Sequence, residues 1–486
     1  MSSTTPTVSL EKDLSTPTTI HLLVNNQPHQ TSSTFPVHNP ATGDFVHHFG
    51  SAAIDDADAA LAAAHKAFPA WRDTKPIKRR NILLKAAELM EVRRDELAGY
   101  MMSETGASTA WANFNLGLAS EILRDAAARI SSIQGSIPTP EGEGISGMIC
   151  KEPYGVILAI APWNAPFILG MRSIVYPLAA GNTALLKASE LAPACSHALV
   201  RIFHDAGLPD GVLNLLAHKP ADAAEVTKHL IDSPIVKKIN FTGSTNVGRI
   251  IGELAGRNLK PVLLELGGKN PAIIWEDADL ELAAKECAVG AFLNSGQICM
   301  STDRLLVHEK VVDEFEKLFK AAVAAFAPED KEPGVLINKQ SVEKTKRILR
   351  DAVSKGATII YGDIESGVDA KMRPVVVKGT TREMDLYHQE TFGPTVSIIV
   401  IKSEEEAVEL ANDTEYGLTS SVFTEDLRRA LRFAKNIESG AVHINGMTVH
   451  DETALPHGGM KGSGYGRFGS VGLEEWLRLK TITYRD

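Results

Sequence analysis

The sequence predicts an α/β protein with two doubly wound parallel-sheet domains that follow one another along the chain. Three observations lead to this fold class. The chain has 486 residues, more than one hydrophobic core usually serves. Its composition, 44% apolar and 23% charged, is typical of a globular protein. Short continuous apolar runs alternate with helical patterns, as expected of buried parallel strands and their crossover helices.

The first domain is expected to begin with two helices, at 55–71 and 77–105, where apolar residues recur at helical spacing. Apolar runs interpreted as strands follow at 154–161, 183–187, 211–216, 236–242 and 261–266. Helical stretches separate them, at 167–180, 193–206, 220–232 and 245–257. This alternation predicts one parallel sheet.

A second alternation begins after residue 270 and predicts a second sheet. Its candidate strands are 272–275, 304–308, 357–361, 373–377, 396–401, 418–423 and 441–445. Its candidate helices are 279–293, 310–326, 341–355, 403–412 and 425–437. The Gly-rich segment 456–469 is expected to be a long loop, and 480–484 a short strand.

Composition argues against several classes of function. The net charge of −10 is spread along the chain without a basic stripe, so no nucleic-acid partner is expected. No apolar run reaches the roughly 18 to 20 residues that a membrane helix needs. The four cysteines form no CxxC pair, so neither a metal–thiolate site nor a disulfide framework is expected. Residues 1–20 resemble a flexible Ser/Thr/Pro arm without a targeting signal, which predicts a cytoplasmic protein.

The polar segment 138–155 interrupts the first domain and is expected to form two extended pieces about a Glu/Gly-rich turn. A hairpin that leaves its domain exposes a strand edge, which favours a subunit contact. A solvated surface hairpin is equally compatible with these residues.

Cys299 is the first candidate for chemistry. It lies in the polar segment NSGQICMSTDR, with Ser295, Gly296 and Gln297 before it. A lone cysteine is usually a small core hydrophobe, but this segment would make a poor core strand. Small neighbours leave room for a substrate to approach sulfur, and a polar setting favours the nucleophilic thiolate.

Two further polar side chains follow apolar strands. Glu265 ends a strand and precedes two glycines, at the sheet edge where α/β proteins bind ligands. It would suit general-base chemistry, although a salt-bridged strand-end glutamate is an alternative. Asn164, in APWNAP, would donate to an oxyanion, although an asparagine after a strand is more often a cap.

Two segments at strand exits would hold a dinucleotide. Gly243 and Ser244 open a helix, whose free N–H groups and dipole favour phosphate oxygens. Lys187 or Glu190, at a neighbouring strand end, would hold ribose hydroxyls. No GxGxxG follows a strand in this domain, so the dinucleotide fingerprint is absent.

In their order along the chain, these segments resemble the NAD(P)-dependent aldehyde dehydrogenase superfamily, from about residue 20 to the end. The matching segments are PWN (162–164), LLKASE (185–190), FTGSTNVG (241–248), LELGGKNP (264–271), GQIC (296–299), QETFGP (389–394) and PHGGMKGSGYGR (456–467). Seven motifs in family order make a chance match negligible.

The resemblance implies a reaction and its residues. Cys299 would attack the aldehyde carbon, and the Asn164 side chain with the Cys299 N–H would stabilise the oxyanion. Hydride would pass to nicotinamide and leave a thioester on Cys299. Glu265 would then activate water for hydrolysis to the carboxylic acid.

The resemblance also implies the cofactor contacts, at Ile160, Trp163, Lys187, Glu190, Gly243, Ser244, Glu390 and Phe392. A glutamate at 190 suits the free 2′-hydroxyl of NAD and would repel a 2′-phosphate, so NAD is expected. Lys219, in LLAHKPADA, would be able to approach a 2′-phosphate, so NADP stays possible.

The family fold has a Rossmann-like cofactor domain, a catalytic domain and a small β oligomerisation extension. Carried onto this chain, the cofactor domain comprises 21–137 and 154–265, and the catalytic domain comprises 266–470. The extension comprises 138–153 and 471–486. The resemblance thus favours a subunit contact for the hairpin and a homodimer or homotetramer.

The segments 161–182 and 443–469 look most like the branch of the family that acts on aromatic aldehydes such as salicylaldehyde, benzaldehyde and vanillin. The candidate pocket residues are Met171, Arg172, Ile298, Met300 and His450. Arg172, with Met171 or His450, would recognise a ring or a polar substituent. Alternatively, Arg172 holds a neighbouring carboxylate.

Other functions are weighed against this one. A CoA-acylating semialdehyde dehydrogenase generally lacks a base at the position of Glu265. A cysteine hydrolase has no use for a phosphate-binding segment. A non-catalytic relative has no need of Cys299, Glu265 and Asn164 together. Aliphatic aldehydes and semialdehydes stay open as substrates.

Overall fold

The computed structural model describes residues 19–485. The arm predicted at 1–20 lies outside the described residues up to position 18, whereas its last two residues form a strand. The elements before residue 138 are β1 (Thr19–Ile20), β2 (Leu22–Val24), β3 (Gln27–His29), β4 (Ser33–His38), β5 (Phe45–Ser51), α1 (Ile54–Arg72), α2 (Pro76–Val92), α3 (Arg94–Thr105) and α4 (Thr109–Arg129).

The helix predicted at 77–105 is wrong in one respect, because the structure divides it into α2 and α3 at Arg93 (φ −101°, ψ 19°). The hydrogen bonds from Arg93 N–H to Leu89 O and from Leu97 N–H to Arg93 O continue across the break. Only the dihedral angles at Arg93 change, and no glycine or proline marks the position in the sequence.

The strands and helices predicted between 154 and 266 are present, with small shifts at their ends. The elements of this part of the chain are β6 (Ile145–Pro153), β7 (Val156–Ile160), α5 (Pro166–Ala180), β8 (Thr183–Lys187), α6 (Pro193–Asp205), β9 (Leu213–Leu216), α7 (Ala223–Asp232), β10 (Val236–Thr242), α8 (Thr245–Arg257) and β11 (Val262–Glu265).

The second alternation is also present. Its elements are β12 (Asn270–Ile274), α9 (Leu280–Phe292), β13 (Thr302–His308), α10 (Val312–Phe326), β14 (Gly334–Val335), α11 (Lys339–Ser354), β15 (Thr358–Tyr361), β16 (Lys371–Met372), β17 (Val375–Lys378), α12 (Asp385–His388), β18 (Thr395–Ile401), α13 (Glu404–Asn412), β19 (Thr419–Phe423), α14 (Leu427–Asn436), β20 (Ala441–Ile444), β21 (Gly464–Tyr465) and β22 (Leu477–Arg485).

The first sheet has the strand order β21-β11-β10-β7-β8-β9-β2-β3. Its five central strands are parallel, and β2, β3 and β21 add antiparallel edges. The central strands are buried along nearly their whole length, which explains their continuous apolar sequences. The Gly-rich segment 456–469 is thus not wholly a loop, since it supplies β21.

The second sheet has the order β15-β17-β18-β13-β12-β19-β20 and is parallel except at β15. Two mostly parallel sheets in series confirm the predicted α/β fold class. Residues 266–269 connect β11 of the first sheet to β12 of the second, so the segment LGGK crosses between the sheets.

The hairpin expected at 138–155 is only partly present. Residues 145–153 form β6, which pairs antiparallel with β22 of the same chain, from Pro153↔Leu477 to Ile145↔Arg485. The expected turn precedes β6 at 141–144, but the first piece forms no strand and is joined to β6 by a single bridge between Ser136 and Ile149. Within residues 19–485 no helix is long and apolar enough to cross a membrane.

Candidate active site

Four strands of the first sheet end side by side and bring together residues far apart in the sequence. The register pairs Ile160 of β7 with Lys187 of β8 and with Phe241 of β10, and Thr242 of β10 with Glu265 of β11. All four strands are parallel, so their carboxyl ends form one edge. Ligands bind at this edge in α/β sheets.

The loop that carries Cys299 is held by side-chain amides rather than by apolar packing. Gln297 accepts from Ile337 N–H at 2.8 Å and donates to Asn294 O and Val335 O, each at 3.0 Å. Asn270 donates to Cys299 O and Ser301 O, both at 2.8 Å. This network explains the polar sequence around the cysteine, since its amides fix the loop that presents sulfur.

Cys299 and Glu265 are in direct contact. The Cys299 thiol donates to Glu265 Oε1 over 3.2 Å. Burial, followed by the charge of Glu265, raises the pKa of the Cys299 thiol well above its usual range. Glu265 is 1% exposed, and its other oxygen has no hydrogen-bond partner among the described residues. The resting site thus holds a thiol beside the carboxylate that can remove its proton.

Asn164 is buried beside the same loop. Its side-chain nitrogen donates to Gln297 O at 2.9 Å, and its backbone oxygen accepts from the Trp111 indole N–H at 3.0 Å. An amide nitrogen carries two hydrogens, so one remains for a substrate oxygen. Donors fixed in advance in this way stabilise an oxyanion.

A cleft opens on one side of Cys299, between the ends of the first-sheet strands and the segment that carries Glu390 and Phe392. Gly243 and Ser244 line it directly before α8, which begins at Thr245. A Cβ at Gly243 would stand 2.6 Å from the Phe241 ring, so a side chain there would crowd the cleft wall. The predicted contacts that line this cleft are Trp163, Gly243, Ser244, Glu390 and Phe392.

Glu390 and Phe392 form the wall supplied by the second sheet. Glu390 accepts from Gly268 N–H at 2.9 Å, and burial raises the pKa of its carboxyl to about 7. Phe392 lies edge-on to the Trp163 ring, with centroids 5.9 Å apart. Lys344, which donates to Glu390 O at 3.0 Å, also lines the cleft and was not foreseen from the sequence.

The remaining predicted cofactor residues lie farther along the sheet edge. Burial lowers the pKa of Lys187, at the end of β8. Glu190 lines a separate cleft, with residues 36–43 and 337–339. Ile160 is buried at the end of β7 and lines neither cleft. Lys219 lies 3.5 Å from Asp222, which balances its charge.

A second cavity, of about 470 Å³, opens on the other side of Cys299. The stacked rings of Trp111 and Phe114, with centroids 5.4 Å apart, lie in its wall. Ile298 and Met300, both predicted pocket residues, also line it. The other apolar lining residues are Leu118, Ala165, Ile168, Leu169 and Val449. The polar lining residues are Asn164, Arg172, Asp451 and His457.

Arg172 holds a neighbouring carboxylate, as the second of its predicted alternatives expects, and it also lines this cavity. Its guanidinium forms an ion pair with Asp451, and the two side chains are only 5% and 10% exposed. The Phe468 ring lies 5.1 Å from the guanidinium carbon. Arg172 is thus a buried charge with its partner on the cavity wall.

Two predicted pocket residues do not line the cavity. Met171 is fully buried in the first-sheet core, because Arg172 and Leu169 take the cavity face of α5. His450 lies between the lining residues Val449 and Asp451, and its side chain is instead paired with Glu452 at 2.9 Å.

Sequence reasoning missed the aromatic wall and His457. Trp111 and Phe114 belong to α4, which begins after the N-cap Ser108 and which the sequence analysis did not predict as a helix. His457 lies within the segment PHGG of a matching motif, and its Nε2 is 3.7 Å from Glu265 Oε1. Neither fact can be deduced without the tertiary contacts.

Comparison with known proteins agrees with this geometry. The aldehyde dehydrogenase family matches residues 27–482. A vanillin dehydrogenase of Pseudomonas fluorescens is 44% identical over 96% of this chain and 98% of its own. A salicylaldehyde dehydrogenase of Pseudomonas putida is 41% identical over 95% and 97%.

The crystal structure of a salicylaldehyde dehydrogenase from Pseudomonas putida G7, complexed with salicylaldehyde, superposes with a TM-score of 0.93 at 38% identity. The superposition covers 96% of this chain and 98% of the salicylaldehyde dehydrogenase chain. The matches in sequence and in structure span nearly the whole chain. This protein therefore belongs to the aldehyde dehydrogenase family.

Proposed function

We propose that this protein oxidises an aromatic aldehyde to its carboxylic acid, with NAD or NADP as the hydride acceptor. The observation that carries the proposal is the position of Cys299. It lies beside Glu265 and Asn164, between a cleft proposed for nicotinamide and a cavity walled by aromatic rings. The vanillin, salicylaldehyde and benzaldehyde dehydrogenases among its relatives support an aromatic substrate.

The residues act in sequence on one carbon. Glu265 accepts the thiol proton, and Cys299 sulfur bonds to the aldehyde carbon. The Asn164 amide and the Cys299 N–H donate to the resulting oxyanion. The nicotinamide, when bound, supplies the acceptor for the hydride that this carbon loses as it becomes a thioester on Cys299. Glu265 then takes a proton from water, whose oxygen displaces the Cys299 thiolate and releases the acid, and Glu265 returns that proton to sulfur.

NAD is proposed as the preferred cofactor. Lys187, Glu190 and Ile160 would contact the adenosine half, and Trp163, Gly243, Ser244, Glu390 and Phe392 the other half. Glu190 favours a free ribose 2′-hydroxyl, and Asp222 balances the charge of Lys219, the cation that would otherwise attract a 2′-phosphate.

The substrate ring is proposed to lie in the second cavity against Trp111 and Phe114. Ile298 and Met300 would pack near the reacting carbon, since they flank Cys299 in the chain. The ion pair of Arg172 and Asp451 would bind a polar ring substituent. A ring without such a substituent would leave that pair with no partner in the cavity.

The domain division is likewise proposed, with 21–137 and 154–265 for the cofactor and 266–470 for catalysis. The segments 138–153 and 471–486 are proposed to assemble a homodimer or homotetramer. Exposed apolar side chains on β22 support this, namely Leu479, Ile482 and Tyr484. The cytoplasm is the proposed location, supported by four cysteines that are all unpaired.

Absorbance of the reduced cofactor, measured over aromatic and aliphatic aldehydes with NAD and NADP, tests the proposal. The largest kcat/KM is expected for hydroxylated benzaldehydes with NAD, unchanged by CoA. Arg172→Leu is expected to bring the kcat/KM for hydroxylated benzaldehydes closer to the kcat/KM for unsubstituted benzaldehyde. Preference for an aliphatic semialdehyde, or dependence on CoA, would refute the proposed substrate class, and an unchanged ratio would refute the role of Arg172.

A further inference from the structure

The carboxylate of Glu265 has a histidine within ion-pair distance. Among the described residues its only ion-pair partner is His457, whose Nε2 lies 3.7 Å from Oε1. Both side chains are enclosed, at 11% and 1% exposed. The gap exceeds a hydrogen bond, but catalytic hydrogen bonds are often long before substrate binds.

Backbone hydrogen bonds fix the segment that carries His457, so the short distance between His457 and Glu265 is set by the fold. His457 N–H donates to Phe468 O at 3.2 Å, and Phe468 N–H donates to His457 O at 2.8 Å. At Gly458, the next residue, a Cβ would stand 2.3 Å from Gly466 O. The chain can pass here only with glycine, and this close approach holds the imidazole at the cavity wall.

The proposed reaction requires Glu265 to accept a proton twice, first from the thiol and then from water. A carboxylic acid cannot act as the second base until it has lost the first proton. Glu265 is almost inaccessible to solvent, and its Oε2 has no hydrogen-bond partner among the described residues. A neighbouring group is therefore needed to remove the first proton before hydrolysis, whereas the second returns to the Cys299 thiolate that hydrolysis releases.

We propose that His457 is this group, a positioning and relay residue that returns Glu265 to its ionised form in every turnover. The Oε1–H bond of protonated Glu265 breaks, and the proton bonds to the lone pair on neutral His457 Nε2. The imidazolium then loses one proton to water, and exchange through water restores the neutral tautomer whose Nε2 carries the lone pair. No oxidant or reductant is needed. The inference rests on the proposed function, because it supplies a step of that reaction.

Several charged and titratable groups face His457. They are Glu265 and Cys299 at the sheet edge, Arg172 on α5, Asp451 and His450 on the adjoining segment, and His443 on β20. Arg172 is neutralised by its ion pair with Asp451. The transfer turns neutral Glu265 and His457 into an adjacent pair of opposite charges, and their mutual attraction offsets part of the cost of burying them.

The test separates the first turnover from later ones in the full-length enzyme with benzaldehyde and NAD. His457→Ala is expected to keep a burst of one NADH per active site, since Glu265 can take the first proton unaided. The steady-state rate is expected to fall about ten- to a hundredfold, within the usual range for proton-transfer groups. Added imidazole should restore it. His457→Phe should show the same loss without rescue.

His229→Ala is the matched control. This histidine also pairs with a carboxylate, Asp58 at 2.7 Å, but on the exposed surface of α7. It should retain the wild-type rate and give no response to imidazole.

A wild-type steady-state rate in His457→Ala would overturn the relay. Loss of the burst together with the steady state, without imidazole rescue, would also overturn it, because only packing would then be lost. If the wild-type enzyme forms no NADH with any aldehyde, the proposed function fails as well. The burst distinguishes these cases.

Discussion

Asp451→Asn is expected to destabilise the protein, because it leaves the Arg172 guanidinium buried without a counter-charge. The two side chains are 5% and 10% exposed, so solvent cannot replace the lost partner. Removing one member of a buried ion pair costs about 3 to 5 kcal/mol. The asparagine oxygen still accepts one hydrogen bond, which returns about 1 kcal/mol. The expected net loss is therefore about 3 kcal/mol.

Urea unfolding at one fixed protein concentration measures this loss, since association between subunits would otherwise shift the midpoint. Glu452→Gln is the matched control. It removes a neighbouring carboxylate whose partner, His450, is 42% exposed. Such surface pairs contribute about 0 to 1 kcal/mol. The double variant Arg172→Met with Asp451→Leu removes both charges and should regain most of the loss.

The loss should also depend on pH in a defined direction. Burial opposes ionisation of Asp451, but Arg172 outweighs it and lowers the pKa of this carboxyl below its usual range. The ion pair thus contributes stability above the unfolded-state pKa, and that contribution disappears as the pH falls through the folded-state value. This reasoning would be refuted if Asp451→Asn and Glu452→Gln were equally stable at pH 7. It would also be refuted if the double variant lost as much unfolding free energy as its two substitutions lose separately.

Three further predictions concern the active site. Asn164→Ala is expected to lower kcat about 100- to 1000-fold through loss of one oxyanion donor, with NADH affinity unchanged in a fluorescence titration; a loss confined to KM would contradict this role. Burial raises the pKa of the Glu390 carboxyl to about 7, so its ionised fraction rises about tenfold between pH 6 and 8. If NADH binds only the ionised form, its affinity should rise about tenfold over that range and stay flat in Glu390→Gln. Gly464→Ala should lower both the unfolding midpoint and kcat. Gly464 has φ +98° and pairs with Glu265, and an added Cβ would stand only 2.1 Å from Leu264 O. A wild-type unfolding midpoint together with a wild-type kcat would contradict this prediction.

The sequence predicted the fold best where local pattern and tertiary environment agree. Strands β7 to β11 are buried on both faces, so their apolar runs reveal them directly. The short strands β3 to β5 carry polar and histidine residues and show no such pattern, and β2 has only three residues. Strand β6 finds its partner β22 more than 300 residues later, so its pairing cannot be deduced from local sequence.

The same distinction holds at the site. Motif spacing identified Cys299, Glu265 and Asn164, which the structure brings together. The partner of Arg172 lies 279 residues away, and only the fold could reveal it. Met171 and His450 were placed in the pocket because of their neighbours, but adjacent residues point in different directions on a helix or an extended segment. Which neighbour faces the cavity depends on backbone geometry that the sequence alone does not specify.

The central claim is that the substrate becomes covalently attached to the Cys299 sulfur. The wild-type enzyme, mixed with benzaldehyde and NAD and quenched in acid during the first turnover, should hold the thioester, because acid removes the base that hydrolysis needs. Peptide mass spectrometry is expected to find one benzoyl group on the peptide that contains Cys299, and none in Cys299→Ala. Acylation of another residue, or NADH formation by Cys299→Ala, would contradict the account.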